Sequence, residues 1–184
     1  MNEQTTIPRR RGFNLMEMGG WTKYPGEFRE SDFRWMADWG FDFVRIPSNY
    51  TLWTDPEDIY EIDESKIGEI DRVIDLGEKY DMHVNLAFHN GPGYCVNHET
   101  DPAFNLWQTQ AALDAFIYHW EFFTRRYSGI PSDRLSFNLI NEPRKPNPQM
   151  SREDHERVIR STVGAIRSHD PDRLIVVDGL SWGN

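Results

Sequence analysis

Glu142 closes an apolar run, Leu135 to Ile140, and stands between Asn141 and Pro143. A carboxyl at the end of such a strand is costly to ionise unless paired or hydrogen-bonded, and burial favours its protonated form, the state a general acid needs. Two readings of Glu142 are open: a proton donor, or the partner of Arg45 in a structural ion pair. Arg45 taken alone favours the second. His89 precedes the chain-reversing stretch Asn90-Gly91-Pro92-Gly93, where a histidine either touches a ligand or packs.

Aromatic rings are the second chemical signal. Trp21, Trp53, Trp107 and Trp182, with Tyr24, Tyr50 and Tyr94, fall in loops that follow strands. Such rings present flat apolar faces that fit the C–H faces of neutral sugars, or else they cover the core beneath long loops. Trp35, Trp39 and Trp120 fall at core spacing on helical segments, so packing accounts for them. His83, His89, His98 and Glu99 could be drawn into a metal site, but there is no HExxH motif and no CxxC pair, so no metal is predicted. GxSxG, Walker A and GxGxxG motifs are also missing, which removes support for acyl transfer, nucleotide hydrolysis and dinucleotide binding. No cofactor is called for. Cys95, the single cysteine, cannot form an intrachain disulfide and reads as a small buried hydrophobe.

Short apolar runs alternating with amphipathic stretches must position these groups, a pattern of strand and helix units joined by right-handed crossovers into a parallel sheet. Strands are predicted at Gly12 to Leu15, Phe43 to Ile46, His83 to Phe88, Leu135 to Ile140 and Leu174 to Val177. The first helix is expected from Ser31, a good N-cap, to Trp39, with Gly40 as its stop. The second carries Ile67, Ile70, Ile74 and Gly77, and the third Leu113, Phe116, Ile117, Trp120 and Phe123. A capping-box-like Ser151 and Asp154 start the fourth, whose buried face is Val158, Ile159, Thr162, Val163 and Ile166. Alternation puts Val44, Ile46, Val84, Leu86, Phe88, Leu135, Phe137 and Leu139 on one face of the sheet. Arg45, His89 and Glu142 fall on the other, at or near C-terminal strand ends, where parallel α/β folds place binding and catalytic groups.

Length and composition bound these readings. The 184 residues suit one domain, and 38% hydrophobic with 14% aromatic content describes an ordinary globular chain. A formal charge of −10 repels phosphate backbones and anionic membranes, so nucleic-acid binding is not expected and neutral or cationic ligands are favoured. No apolar run approaches the roughly 18 to 20 residues of a membrane span. The segment MNEQTTIPRRRGFN has basic residues with no apolar stretch behind them and does not read as a secretory signal, which leaves localisation open.

Taken in order, these segments resemble glycoside hydrolase family 5, whose cellulases belong to a larger clan of retaining barrel glycosidases. RGFNLMEMGGW is similar to the family's first strand and loop, GFDFVRIP to its second strand, HVNLAFHNGPGYCVN to its third, LSFNLINEP to its fourth and LIVVDGLSWGN to its fifth. The resemblance implies a (β/α)8 TIM-barrel fold and retaining cleavage of β-1,4-linked glucan. It implies Glu142 as acid/base, Asn141 holding the sugar's 2-hydroxyl, Arg45 orienting the catalytic carboxylates and His89 lining the cleaved-bond subsite, with Trp21, Tyr94 and Trp182 also on the substrate path. The loop His89-Asn90-Gly91-Pro92-Gly93-Tyr94 departs from the His-Arg-Ala-Pro-Gly-Tyr that we associate with relatives, which bears on fine specificity.

A TIM barrel typically takes about 250 residues, so residues 1–184 are expected to form a single partial catalytic domain of about five parallel strands and four helices. The family's nucleophile, a glutamate ending the seventh strand, has no counterpart, nor do the histidine and tyrosine around the sixth strand or the tryptophan of the eighth. Asp178 and Glu17 are the nearest substitutes, and Asp178 reads as structural. Little turnover is therefore expected from this chain alone. The rival readings are a silent half-barrel that binds β-glucan and an assembly protein that self-associates through open sheet edges.

Overall fold

The computed structural model describes residues 7–19, 26–55 and 57–183. Among these the chain runs β1 (Gly12–Asn14), α1 (Glu30–Asp38), β2 (Phe43–Asn49), α2 (Gly68–Lys79), β3 (His83–Gly91), β4 (Tyr94–Cys95), α3 (Gln110–Arg126), β5 (Leu135–Asn138), α4 (Arg152–His169) and β6 (Leu174–Val176). The parallel strands lie in the order β1-β2-β3-β5-β6, and the two-residue β4 folds back antiparallel onto β3. Each crossover therefore steps the same way across the sheet. A doubly wound sheet reverses direction at a switch point, whereas a sheet that never reverses carries its helices on one face and curls toward a barrel.

The helix-facing side of the sheet is the parity that sequence alternation assigns to it, and Val44, Ile46, Val84, Leu86, Phe88, Leu135, Phe137 and Leu139 are all buried. Phe88 stacks on Trp120 with ring centroids 4.0 Å apart, and Trp120 contacts Phe137 at 5.0 Å. Gly77 lets α2 approach β3, because a Cβ there would stand 2.5 Å from Cγ2 of Val84. Gly40 adopts φ of 79° just beyond α1, which bears out its reading as the stop. The Ser151–Asp154 capping box at the start of α4 forms in full.

Several expectations are corrected. Helix α1 starts at Glu30 with Arg29 at the N-cap and no side-chain cap, so Ser31 lies inside the first turn. Its buried residues are Phe33 and Met36, which leaves Trp35 and Trp39 on the other side at 52% and 68% exposure, not in the core. Trp53 and Trp107, by contrast, are buried loop rings, and Trp53 donates from Nε1 to Nδ1 of His119 at 3.1 Å. Cys95 is half-buried, not enclosed. On α4, Val158, Thr162 and Ile166 are buried, but Ile159 and Val163 are only half-buried and line an open groove with His155.

Candidate active site

The inner face of the sheet is polar and mutually hydrogen-bonded. Register sets Asn14 beside Arg45, Arg45 beside Asn85, and Asn85 beside Ser136, in one row across four strands. One step along, Ala87 pairs with Asn138 and Asn138 with Val176. Arg45, half-buried on β2, donates from Nε and Nη2 to Oδ1 of Asn138 at 3.0 and 2.7 Å, and from Nη2 to Oδ1 of Asn141 at 2.9 Å. A longer contact of 3.5 Å runs from Nη1 to Asn14. Burial pushes the Arg45 pKa down, and the nearby negative charges of Asp178 and then Glu142 oppose that shift.

Asp178, just past β6, completes the network. Its Oδ1 accepts from Nδ2 of Asn138 at 2.8 Å, and its Oδ2 accepts from the backbone N–H of Glu142 at 2.9 Å. The Glu142 carbonyl accepts in turn from the Tyr94 hydroxyl at 2.9 Å. Both ends of Glu142's backbone are thus tied to side chains, which stabilises the left-handed φ of 49° that the residue adopts. For a residue other than glycine that conformation costs about 1–3 kcal/mol. Beyond it, the turn at residues 180–183 clasps the loop: the Trp182 N–H donates to the Pro143 carbonyl at 2.9 Å and the Ser181 N–H to that of Arg144 at 3.3 Å. Arg144 in turn donates to the carbonyls of Val96 and His98, each at 2.8 Å.

Of the two readings of Glu142, the structure bears on the ion pair alone. No ion pair within 4.0 Å joins it to Arg45, and its side chain is exposed, not buried as its strand-end position suggests. The left-handed backbone turns it out of the strand line. Arg45, Asn85, Asn138, Asn141, Asp178 and Trp182 share with it an open concavity of about 500 Å³. Trp182 is 47% exposed. Tyr94 is not a rim ring: it is buried edge-on against Trp107 and reaches Glu142 only through its hydroxyl. Trp21 lies outside the described residues.

His89 faces the same side of the sheet and is nearly buried, with Nδ2 of Asn97 3.4 Å from its Nε2. Burial, and then the positive charge of Arg45, push its pKa down to about 4, so it is neutral at neutral pH. Among the described residues no three His, Cys, Asp or Glu side chains gather closely enough to hold a metal ion. Asn138 and Asp178 are the members of the cluster that residue-type reasoning undervalued. Strand parity does place Asn138 on the inner face, but nothing in the sequence announces that Asp178 reaches back to Glu142.

A singly wound parallel sheet with helices on one face and polar side chains gathered at its C-terminal edge is the architecture of a TIM-barrel enzyme, present here as a partial barrel. The chain belongs to the cellulase family, glycosyl hydrolase family 5, whose model matches residues 3–184. It is 26% identical over 182 residues to endoglucanase C of Acetivibrio thermocellus, covering 94% of this chain and 50% of that protein. It is 30% identical over 140 residues to cellodextrinase A of Ruminococcus flavefaciens, covering 72% of this chain and 40% of the other. A crystal structure described as a glycoside hydrolase superposes with a TM-score of 0.90 at 39% identity, covering 96% of this chain and 55% of its own. The chain thus spans about half the length of the curated relatives it matches.

Proposed function

We propose that this chain carries the acid/base half of a retaining hydrolase acting on β-1,4-linked glucan, with residues 1–184 forming one partial catalytic domain. The observation that carries the reading is the double anchoring of Glu142 by Asp178 and Tyr94, which leaves its carboxyl exposed at the concavity while its main chain is held. In the first step Glu142 gives its proton to the leaving oxygen as the C1–O bond breaks and a carboxylate on the opposite face attacks C1. In the second step the Glu142 carboxylate takes a proton from the water that releases the glycosyl group. Asn141, its Oδ1 engaged by Arg45, has its amide N–H left to meet the sugar's 2-hydroxyl. Neutral His89 lines the subsite of the cleaved bond without adding charge.

Asp178 reads as structural, since its oxygens accept from Asn138 and from the Glu142 N–H and so brace the loop that carries Glu142. Glu142 alone protonates a leaving group but forms no glycosyl-enzyme intermediate, so the isolated chain turns over cellulosic substrates slowly or not at all. The test is azide or formate as an external nucleophile with an aryl β-cellobioside. Rescue supports a site that lacks only its nucleophile. Robust release of reducing sugar from carboxymethylcellulose by mass-verified chain, without added nucleophile, overturns this reading.

Self-association is a second reading with its own observation. Among the described residues β1 and β6 each pair on one side only and carry exposed apolar groups, Phe13 at 47% on β1 and Val176 and Val177 at 40% and 44% at β6, and helix α4 adds the groove along Ile159 and Val163. Light scattering should then show species larger than a monomer, and a monomer at high concentration contradicts it.

A further inference from the structure

The two anchors of Glu142 are held in turn from behind. Tyr94 meets the Trp107 ring edge-on at 5.1 Å, and Trp107 lies against the imidazole of His155, with ring centroids 5.8 Å apart and planes 31° from parallel. His155 stands at the start of α4, where the Ser151–Asp154 capping box fixes the helix end and Arg157 donates to the Trp107 carbonyl. Trp107 Nε1 and His155 Nε2 are both buried without a hydrogen-bond partner. The hydrogen bond that His155 makes to the Asp178 main chain therefore runs through Nδ1. Burial lowers the His155 pKa, this bond opposes the shift and Arg152 adds to it, so the ring is neutral at neutral pH and donates from Nδ1–H to a carbonyl.

These contacts close a circuit around Glu142. It runs from the Glu142 carbonyl through Tyr94, Trp107 and His155 to the Asp178 main chain, and back through Oδ2 of Asp178 to the Glu142 N–H. Asp178 needs such support, because the sheet pairing of β6 ends at Val176, two residues before it. A left-handed φ at a residue other than glycine persists only where its surroundings fix it, and Asp178 is one of the two groups that fix Glu142. We propose that His155 is a positioning residue: by holding the Asp178 main chain it sets the direction in which Glu142 presents its carboxyl. The proposal rests on the reading of Glu142 as proton donor and adds a residue that does not itself line the concavity there.

His155→Phe keeps a ring against Trp107 and removes the donor, whereas His155→Asn puts an amide N–H near the place of Nδ1. Amide hydrogen exchange at Glu142 should quicken about tenfold in the Phe variant and stay near the wild-type rate in the Asn variant, with Val158 and Thr162 of α4 protected in both. With azide and an aryl β-cellobioside, the Phe variant should lose turnover several-fold at unchanged KM, and the Asn variant should restore it. In the wild-type chain, ring nitrogen chemical shifts should report the Nδ1–H tautomer of His155. Unchanged Glu142 exchange in the Phe variant, equal exchange in the two variants, or an Nε2–H tautomer in the wild type overturns the positioning role. Absence of azide-dependent product from the wild type overturns the proton-donor reading instead, and the exchange rates still decide whether His155 holds Glu142.

Discussion

Two arginines withdrawn from water lie in neighbouring rows of the sheet, one on β2 and one just before β6, and their partners differ in kind. Arg173, fully buried just before β6, donates to the carbonyls of Leu135, Tyr127 and Ile130 at 2.8 to 2.9 Å and to Asp170, and lies over the Phe137 ring. Arg45, the third residue of β2, donates to side-chain amide oxygens, and the negative charges of Asp178 and Glu142 act on it from beyond ion-pair contact. Burial lowers the pKa of both, and only Arg173 has a carboxylate in contact to compensate, with Asp170 at 2.9 Å. Main-chain carbonyls cannot re-bond without unfolding, whereas amide side chains beside an open concavity can exchange partners with a ligand. Arg173, bonded to backbone, is a staple; Arg45, bonded to amides beside the concavity, is the one proposed to serve a site.

Removing the staple should have the largest effect. Arg173→Met leaves the half-buried Asp170 carboxylate and three carbonyls without the buried guanidinium, and urea unfolding should show a loss of about 3–5 kcal/mol. Arg45→Met should cost only about 1–2 kcal/mol, because its partners border the concavity and can turn to water. The same variant should abolish sugar-induced shifts at Asn141. Equal destabilisation by the two variants would erase the distinction.

Histidines sharpen the same contrast on a second residue type. Burial, together with the Arg45 charge in the case of His89, puts His89 and His119 at a pKa of about 4 in the folded chain, against about 6.5 unfolded. The unfolded state therefore binds more protons between pH 4 and 6.5, so stability rises with pH across that window and levels off above it. The slope should approach about 1.4 kcal/mol per pH unit for each histidine. Urea titrations from pH 4.5 to 7.5 check the sum. His119→Gln should flatten the slope without changing sugar binding, since His119 joins Trp53 to the Ile59 carbonyl inside the core.

A smaller effect is expected of Asp178→Asn. The amide keeps one acceptor but faces either Asn138 or the Glu142 N–H with a donor, and should cost about 1 kcal/mol. Amide hydrogen exchange should quicken at Glu142 above all. Unchanged exchange there would show that Asp178 does not hold the residue.

Periodicity made most of this architecture legible before any coordinates. The alternation of Val44, Ile46, Val84 and Leu86 is a direct imprint of a sheet with one greasy face, and the order of the segments carried the family. Trp35 and Trp39 misled because size alone says nothing about which side of a short helix is buried, and Phe33 with Met36 already fills that side. Glu142 was legible as a residue and not as an environment: its exposure follows from a left-handed φ and from contacts to Asp178 and Tyr94, 36 and 48 positions away. Such contacts depend on how far each strand end projects, and local spacing does not encode that. Arg173 escaped notice for the same reason, since its carbonyl partners lie 38 to 46 residues away.

The proposal that most needs a direct test is Glu142 as the proton donor. Azide-dependent cleavage of phenyl β-cellobioside, whose poor leaving group needs protonation, tests it on the wild-type chain and on Glu142→Gln, which preserves shape and removes the acid. The account predicts α-cellobiosyl azide from the wild type and a rate about 10² to 10⁴-fold lower from the variant. Equal azide-dependent rates in the two proteins would contradict it.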